Sequence, residues 1–309
     1  MSVQESVLLK AGTNEVEFIE FYVAGQSFGI NVAKVKQVVQ WDRKSVTRLD
    51  GSSSEVLGTY YFRGKPILAI DLRKALNLQS HEVSEERKLL LVAEFNQMMT
   101  GFLIDGVQQI HRKTWKDFHP MESSVFGKKP YVVGNILVGS RVILVIDFEY
   151  LTATIAPQLA QHLFQPNPIE RKTERKDIKI VYAEDSAMVR RYTAQQLMDA
   201  GFVNLKAFEN GAQAYAYLQE IYDEVKKGKY LSDYVNAVIT DIEMPQMDGF
   251  TLCKQIKTEL GMHDLPVVVY SSLINEQMSG KCKSVGADAH MSKPNIHQIA
   301  EVVDSLCLG

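Results

Sequence analysis

Four places along the chain set polar residues directly behind apolar runs, and the residue types suggest one chemistry. Glu184-Asp185 follow "IKIVYA", Asp241 follows "VNAVIT", Ser271 closes "PVVVYS", and Lys293 closes "AHMSK" just ahead of Pro294. Three carboxylates gathered in one crevice repel each other unless a cation offsets them. An oxygen-only donor set favours a hard ion, and few protein ligands with room for water favour Mg²⁺ over Ca²⁺. A metal, the Lys293 ammonium and the Ser271 hydroxyl around one carboxylate make a receptor for the oxygens of a phosphoryl group. Asp241 is then the nucleophile, taking phosphate as an acyl phosphate.

Each residue taken singly has a plainer role. An Asp at a strand end is commonly a helix N-cap, Ser271 could cap in the same way, and Lys293 could be a solvated charge. What separates the readings is joint placement, because only a fold that aligns these strand ends brings the five together. From Asp177 onward the sequence has that grammar. The strand patterns "IKIVYA", "VNLKAF", "VNAVIT", "PVVVYS" and "AHMSK" alternate with helical patterns such as "SAMVRRYTAQQLMDA" and "GAQAYAYLQEIYDEVKKG". Five strands alternating with five helices predict an α/β doubly wound five-stranded parallel sheet covered on both faces. Such sheets bind ligands outside the carboxyl ends of their strands, where strand order reverses. All five polar residues fall at that edge.

The whole chain has room for a second domain, since 309 residues exceed one ordinary domain. From Val16 to Leu151 the pattern is different: short alternating runs such as "VEFIEFYV", "PILAIDL", "KLLLVAEF" and "RVILVIDF", with turn clusters at "DGSSS" (50–54) and "FGKKP" (126–130) between them. This predicts an N-terminal all-β half closed into one or two small barrels. Between the halves, "QPNPIERKTERKD" (165–177) combines two prolines with a dense charge run, which predicts an exposed linker or a short solvated helix.

Composition narrows the function. A hydrophobic share of 46% and a charged share of 23% are those of a globular protein, and a net charge of −3 gives no electrostatic reason to expect nucleic acid. Cys253, Cys282 and Cys307 lack CxxC spacing and are odd in number, which argues against zinc or a disulfide framework and fits a reducing cytoplasm. No uncharged run reaches the roughly 18 residues that a membrane span needs, so direct membrane insertion is not expected. Residues 1–165 carry no basic recognition helix, no phosphate-binding glycine loop and no nucleophile elbow, which leaves protein contact as their leading role.

Residues 178–309 resemble the receiver domain of bacterial response regulators over its full length, on Glu184-Asp185, on Asp241 in "DIEMPQMDG", on Ser271 and on Lys293 in "SKP". The resemblance implies a flavodoxin-like strand order of 2-1-3-4-5, a phosphohistidine donor on a partner kinase, and a Mg²⁺ ligand from the backbone carbonyl of Glu243. Two positions depart from that pattern. Glu243 could set hydrolysis through its side chain or be a solvent-facing loop residue, and His290 stands where the family has a Tyr or Phe that rotates when Ser271 engages phosphate. Residues 14–152 resemble a CheW-type coupling domain, most specifically at "RGKPILAIDLR", implying a double SH3-like barrel. Arg63, Val35 and Gln37 match family positions implicated in receptor or kinase contact, and Tyr61-Phe62 replace the usual Asn-Leu before that arginine.

A coupling domain (1–164) joined by a linker (165–177) to a receiver (178–309) resembles the CheV-type chemotaxis proteins. That architecture implies an adaptor between methyl-accepting chemoreceptors and a chemotaxis histidine kinase, cytoplasmic and recruited to membrane receptor arrays. It also implies no separate catalytic domain. A phosphorylation-independent scaffold and a regulator with an enzymatic output are the competing readings, the second requiring a catalytic cluster in residues 1–165.

Overall fold

The computed structural model describes residues 12–48, 53–79, 87–95, 98–121, 131–157, 169–272, 274 and 276–309. Most of both predicted turn clusters and linker residues 165–168 lie outside the described residues. The chain divides into two compact units, Val16–Leu163 and, with a short N-terminal piece, Phe164–Gly309.

The first unit is built from two six-stranded sheets. One runs in the order 118–120, 132–138, 141–146, 26–31, 15–23, 106–114, the other 35–40, 89–95, 98–104, 65–71, 56–62, 46–47. Neighbours are mostly antiparallel, but each sheet holds a parallel pair, 141–146 with 26–31 and 65–71 with 98–104. One core takes Phe21, Phe28 and Ile30 from the first sheet and Ile70, Leu91 and Phe102 from the second. Each sheet also has a core of its own, around Trp115 and Phe118 in one and around Trp41 and Phe62 in the other. The burial alternation that predicts a half-solvated strand fails at Glu20, which is fully buried. Its carboxylate is offset by Arg141 at 2.6 Å, with His111 Nε2 at hydrogen-bond distance, 2.7 Å, as a buried charge requires.

The second unit contains the predicted strands at nearly the predicted bounds: β1 (Lys179–Ala183), β2 (Asn204–Phe208), β3 (Ala237–Thr240), β4 (Val267–Ser271) and β5 (Ala289–Ser292). They form one parallel sheet in the order β2-β1-β3-β4-β5. Between and after them lie α1 (Ala187–Asp199), α2 (Gly211–Lys226), α3 (Gly249–Thr258), α4 (Glu276–Ser284) and α5 (Ile296–Cys307). Alternation along β1 explains the two apolar layers: Val181 and Ala183 join the core under α2 and α3, whereas Ile180 and Tyr182 join the core with α1 and α5 residues. Strand order reverses between β1 and β3, so the ends of these strands open onto a shared crevice.

The linker departs from expectation at one residue. Thr173–Asp177 forms a single 3₁₀ turn whose Glu174 and Lys176 are exposed, but Arg175 is only 2% exposed. Its guanidinium binds Asp304 of α5 through Nε and Nη2, each at 2.8 Å, and donates to the carbonyls of Glu170 and Ala200. It also stacks over Phe202, 4.9 Å from the ring centroid. A charge can be buried when every donor finds an acceptor, which charge density along a sequence does not reveal.

Candidate functional site

The site forms where β1, β3, β4 and β5 end. Asp241 follows β3 directly, and its amide donates to the Ala183 carbonyl on β1 at 2.9 Å, which fixes the carboxylate at the sheet edge. One carboxylate oxygen, Oδ1, accepts the Ile242 amide at 2.7 Å, and the other, Oδ2, accepts Lys293 Nζ at 2.9 Å. Lys293 reaches across from the end of β5 and also donates to Glu184 Oε2 at 2.6 Å. Its backbone amide bonds the Ser271 carbonyl at 3.2 Å, tying the ends of β4 and β5 together.

Asp241, Glu184, Ser271 and Lys293 are all buried, whereas Asp185 is exposed. Burial alone would lower the Lys293 pKa, but the Asp241 and Glu184 carboxylates overcome that and hold it well above the ordinary lysine value. The ammonium is therefore a fixed positive charge at any neutral pH.

Carboxylate oxygens of Glu184, Asp185 and Asp241 lie within 4.8 Å of one another. Three carboxylates therefore meet one ammonium at this edge. The donors are hard oxygens with one residue open to water, which fits Mg²⁺. The chain between Asp241 and α3 is shaped to present this carboxylate. Met244 is fully buried in the core beneath, Asp248 caps α3 by accepting the Thr251 amide at 2.7 Å, and the Gly249 amide returns to the Ile242 carbonyl at 2.9 Å. A Cβ on Gly249 would collide with the Asp241 backbone carbonyl, so the turn demands glycine there.

The remaining sequence candidates fall unevenly. Glu243 is 8% exposed, which removes the solvent-facing reading of its side chain. His290 is half-buried on β5, in register with Val269 of β4. In the first unit, Arg63 donates to Gln37 Oε1 at 2.7 Å and lies over the Phe62 ring. Tyr61 is 68% exposed and Phe62 buried, so the aromatic pair splits, one ring facing out and one in, as neighbours on a strand do. Val35 requires a correction: it is 6% exposed and belongs to the shared core, so its side chain supports that region and does not present a contact surface.

Two participants escaped sequence reasoning. Arg190 on α1 donates to the backbone carbonyls of Glu184 and Asp185, at 2.7 and 3.1 Å, fixing the acidic pair from behind. Tyr182 donates to Glu184 Oε2 at 3.1 Å. Each stands in a segment whose pattern already marks it as helix or strand, and pattern hides a second role. The phenol in an otherwise aliphatic run was the available signal.

Asp248 gives a pH prediction. Burial pushes its carboxyl up to about 6, against the opposing amide bonds from Thr251 and Phe250. A raised acid pKa means the folded state binds the proton more tightly, so stability is highest below the ordinary value near ~3.9 and falls as pH rises through about 6. Asp248→Asn keeps the capping acceptor without the charge. Urea unfolding of the second unit should therefore be less pH-dependent in the variant, with a gain of up to about 3 kcal/mol at neutral pH. Parallel profiles for variant and wild type would refute the assignment.

Comparison with known proteins covers both units. The CheW-like domain family matches residues 17–156, and the response regulator receiver domain family matches residues 180–304. Chemotaxis protein CheV3 of Helicobacter pylori is 25% identical over 95% of both chains. Chemotaxis protein CheV2 of the same organism is 25% identical over 94% of both. Chemotaxis protein CheW of Klebsiella aerogenes is 27% identical over 45% of this chain and 82% of its own.

Proposed function

Because the chain joins a CheW-like domain to a response regulator receiver domain and so belongs with the CheV-type chemotaxis proteins, we propose that it couples chemoreceptors to a chemotaxis histidine kinase and takes a phosphoryl group on Asp241. The observation that carries the reading is the convergence of Glu184, Asp185 and Asp241 with Lys293, whose Nζ lies 2.9 Å from the acceptor carboxylate. In the transfer, an Asp241 oxygen attacks the phosphorus of a kinase phosphohistidine. A P–O bond forms, the P–N bond breaks, and the leaving imidazole takes up a proton.

Glu184, Asp185, Asp241 and the backbone carbonyl of Glu243 would hold Mg²⁺, which when bound supplies positive charge to the phosphoryl oxygens. Lys293 supplies charge to the same oxygens from the β5 side, and Ser271 supplies a hydroxyl. Before transfer the Lys293 ammonium is divided between Asp241 and Glu184. Added charge on Asp241 favours its movement toward the acceptor, and Ser271, tied to Lys293 through the backbone, senses the same event. His290 then occupies the switch position. The two states of the receiver bias how the coupling half engages its partners, as adaptation or as a phosphate sink.

On the coupling half, Arg63 and Gln37, with the exposed Tyr61 beside them, form the receptor- or kinase-facing surface. No described helix is long and apolar enough to cross a membrane, so placement at a receptor array rests on these protein contacts. The deciding experiment incubates the full chain with Mg²⁺ and a small phosphodonor. An acid-stable, base-labile adduct should form and map by mass spectrometry to the peptide containing Asp241. No adduct, or an adduct elsewhere, removes the proposal.

A further inference from the structure

We infer that Tyr182 is a positioning residue for the Glu184 carboxylate, holding it in the orientation in which it ligates Mg²⁺; this rests on the metal and phosphoryl reading of the site. Tyr182 lies on β1, and Glu184 is the first residue beyond that strand, two positions further along. The ring is fully buried among the α1- and α5-side apolar residues, and its hydroxyl reaches Glu184 Oε2 at 3.1 Å. Thr193 of α1, itself buried, lies next to the same phenol. The result is a line of contacts from the helix that covers the sheet to the acidic pair: Thr193, Tyr182, Glu184, Lys293 and Asp241.

The arrangement matters because Lys293 has two customers. Its Nζ meets the same Glu184 oxygen that Tyr182 binds, and also meets Asp241. When Asp241 gains a phosphoryl group, the ammonium is drawn to the new charge and its hold on Glu184 weakens. Weakening that bond removes one of the contacts that set the Glu184 rotamer, and a metal ligand that moves loses the metal. Tyr182 prevents this. Its ring is fixed by the strand and by the core it is buried in, so it does not follow the lysine. Its hydroxyl already donates to Glu184 Oε2, so the contact that orients the carboxylate does not pass through the lysine. An apolar residue here would fill the core equally well but leave Glu184 oriented by Lys293 among the contacts described above. Partners that orient a metal-ligating side chain typically affect metal affinity by about 10–100-fold when removed.

The test is Mg²⁺ titration of the full chain by calorimetry, paired with the rate of phosphodonor labelling as a function of Mg²⁺ concentration. Tyr182→Phe removes a single oxygen atom and should weaken Mg²⁺ binding by about tenfold. The labelling rate at saturating Mg²⁺ should stay close to wild type, because Asp241, Lys293 and Ser271 are untouched. The double variant Tyr182→Phe/Thr193→Val removes the neighbouring polar group as well, and should bind Mg²⁺ as weakly as the single variant. A Tyr182→Phe protein that titrates like wild type overturns the inference. So does a loss of affinity matched by an equal loss of saturated rate and of melting temperature, which would mark Tyr182 as core packing alone. Wild-type protein that takes up no Mg²⁺ overturns the metal reading, and this inference with it.

Discussion

Lys293→Ala is expected to slow phosphoryl transfer to Asp241 by about 10²–10³-fold, the usual effect of deleting one preorganised charge at a site where negative charge develops. The physical basis is the position of the ammonium, buried and 2.9 Å from Asp241 Oδ2, in surroundings that screen it far less than water does. The same substitution leaves Glu184 and Asp241 facing each other without their shared counter-charge. Breaking a buried charge pair costs roughly 3–5 kcal/mol, so the receiver should also be less stable. Added Mg²⁺ should recover part of that stability, because a cation among the carboxylates replaces some of the lost charge, but it should not recover the rate.

The pH behaviour separates these effects from titration. A lysine whose folded pKa is raised contributes stability fully below its unfolded value of about 10.4 and loses it only as pH rises through the still higher folded value. Lys293 itself therefore adds no pH dependence near neutrality. Labelling rates of Lys293→Ala and wild type, measured at one Mg²⁺ concentration, check the first expectation, and urea unfolding with and without Mg²⁺ checks the second. A variant that labels at the wild-type rate would mean that Lys293 is structural only.

Sequence alone picked out the residues that converge at the candidate site because they stand at element boundaries, where apolar periodicity stops and a polar residue is conspicuous. Asp241 and Lys293 are legible for that reason, and so is the parallel sheet, whose strands read as short apolar runs. Residues inside elements were not legible. Tyr182 looks like one more strand residue, Arg190 like one more charge on a helix, and Glu20 like the outward half of an alternating strand. Glu20 depends on a partner far away in sequence, since Arg141 lies 121 residues from it, whereas Tyr182 and Arg190 bond residues only two to six positions away and are hidden because periodicity accounts for them already. Val35 shows the opposite error. Matching a motif position suggested contact, but the side chain at that position faces the core.

Arg175→Ala should destabilise the second unit by roughly 2–3 kcal/mol, below the ~3–5 kcal/mol of a fully buried pair because Asp304 is partly exposed and keeps Lys172. The charge run "ERKTERKD" reads as solvated, yet this arginine joins the linker to both Asp304 on α5 and the Ala200 carbonyl at the end of α1. Its loss leaves a carboxylate only partly offset by Lys172, and two carbonyls short of a donor, around a cavity beside Phe202. If the cost is charge left unpaired, and not the absence of a salt bridge as such, Arg175→Met/Asp304→Leu should recover much of it, since apolar residues of similar volume often replace a buried pair without loss. The pH dependence has the opposite sign to that of Asp248. Hydrogen bonds from Arg175 first, then Lys172, outweigh burial and hold Asp304 below its ordinary value, so this stabilisation is present above about pH 4 and is lost as pH falls through the folded value. The difference between wild type and Arg175→Ala should therefore narrow in acid. The measurement is straightforward because both tryptophans, Trp41 and Trp115, belong to the first unit. Tryptophan fluorescence follows that unit, while loss of helical circular dichroism in urea follows mainly the second, which holds the long helices. An Arg175→Ala protein whose helical signal is lost at the wild-type urea midpoint would show that the buried guanidinium contributes no more to stability than its desolvation costs.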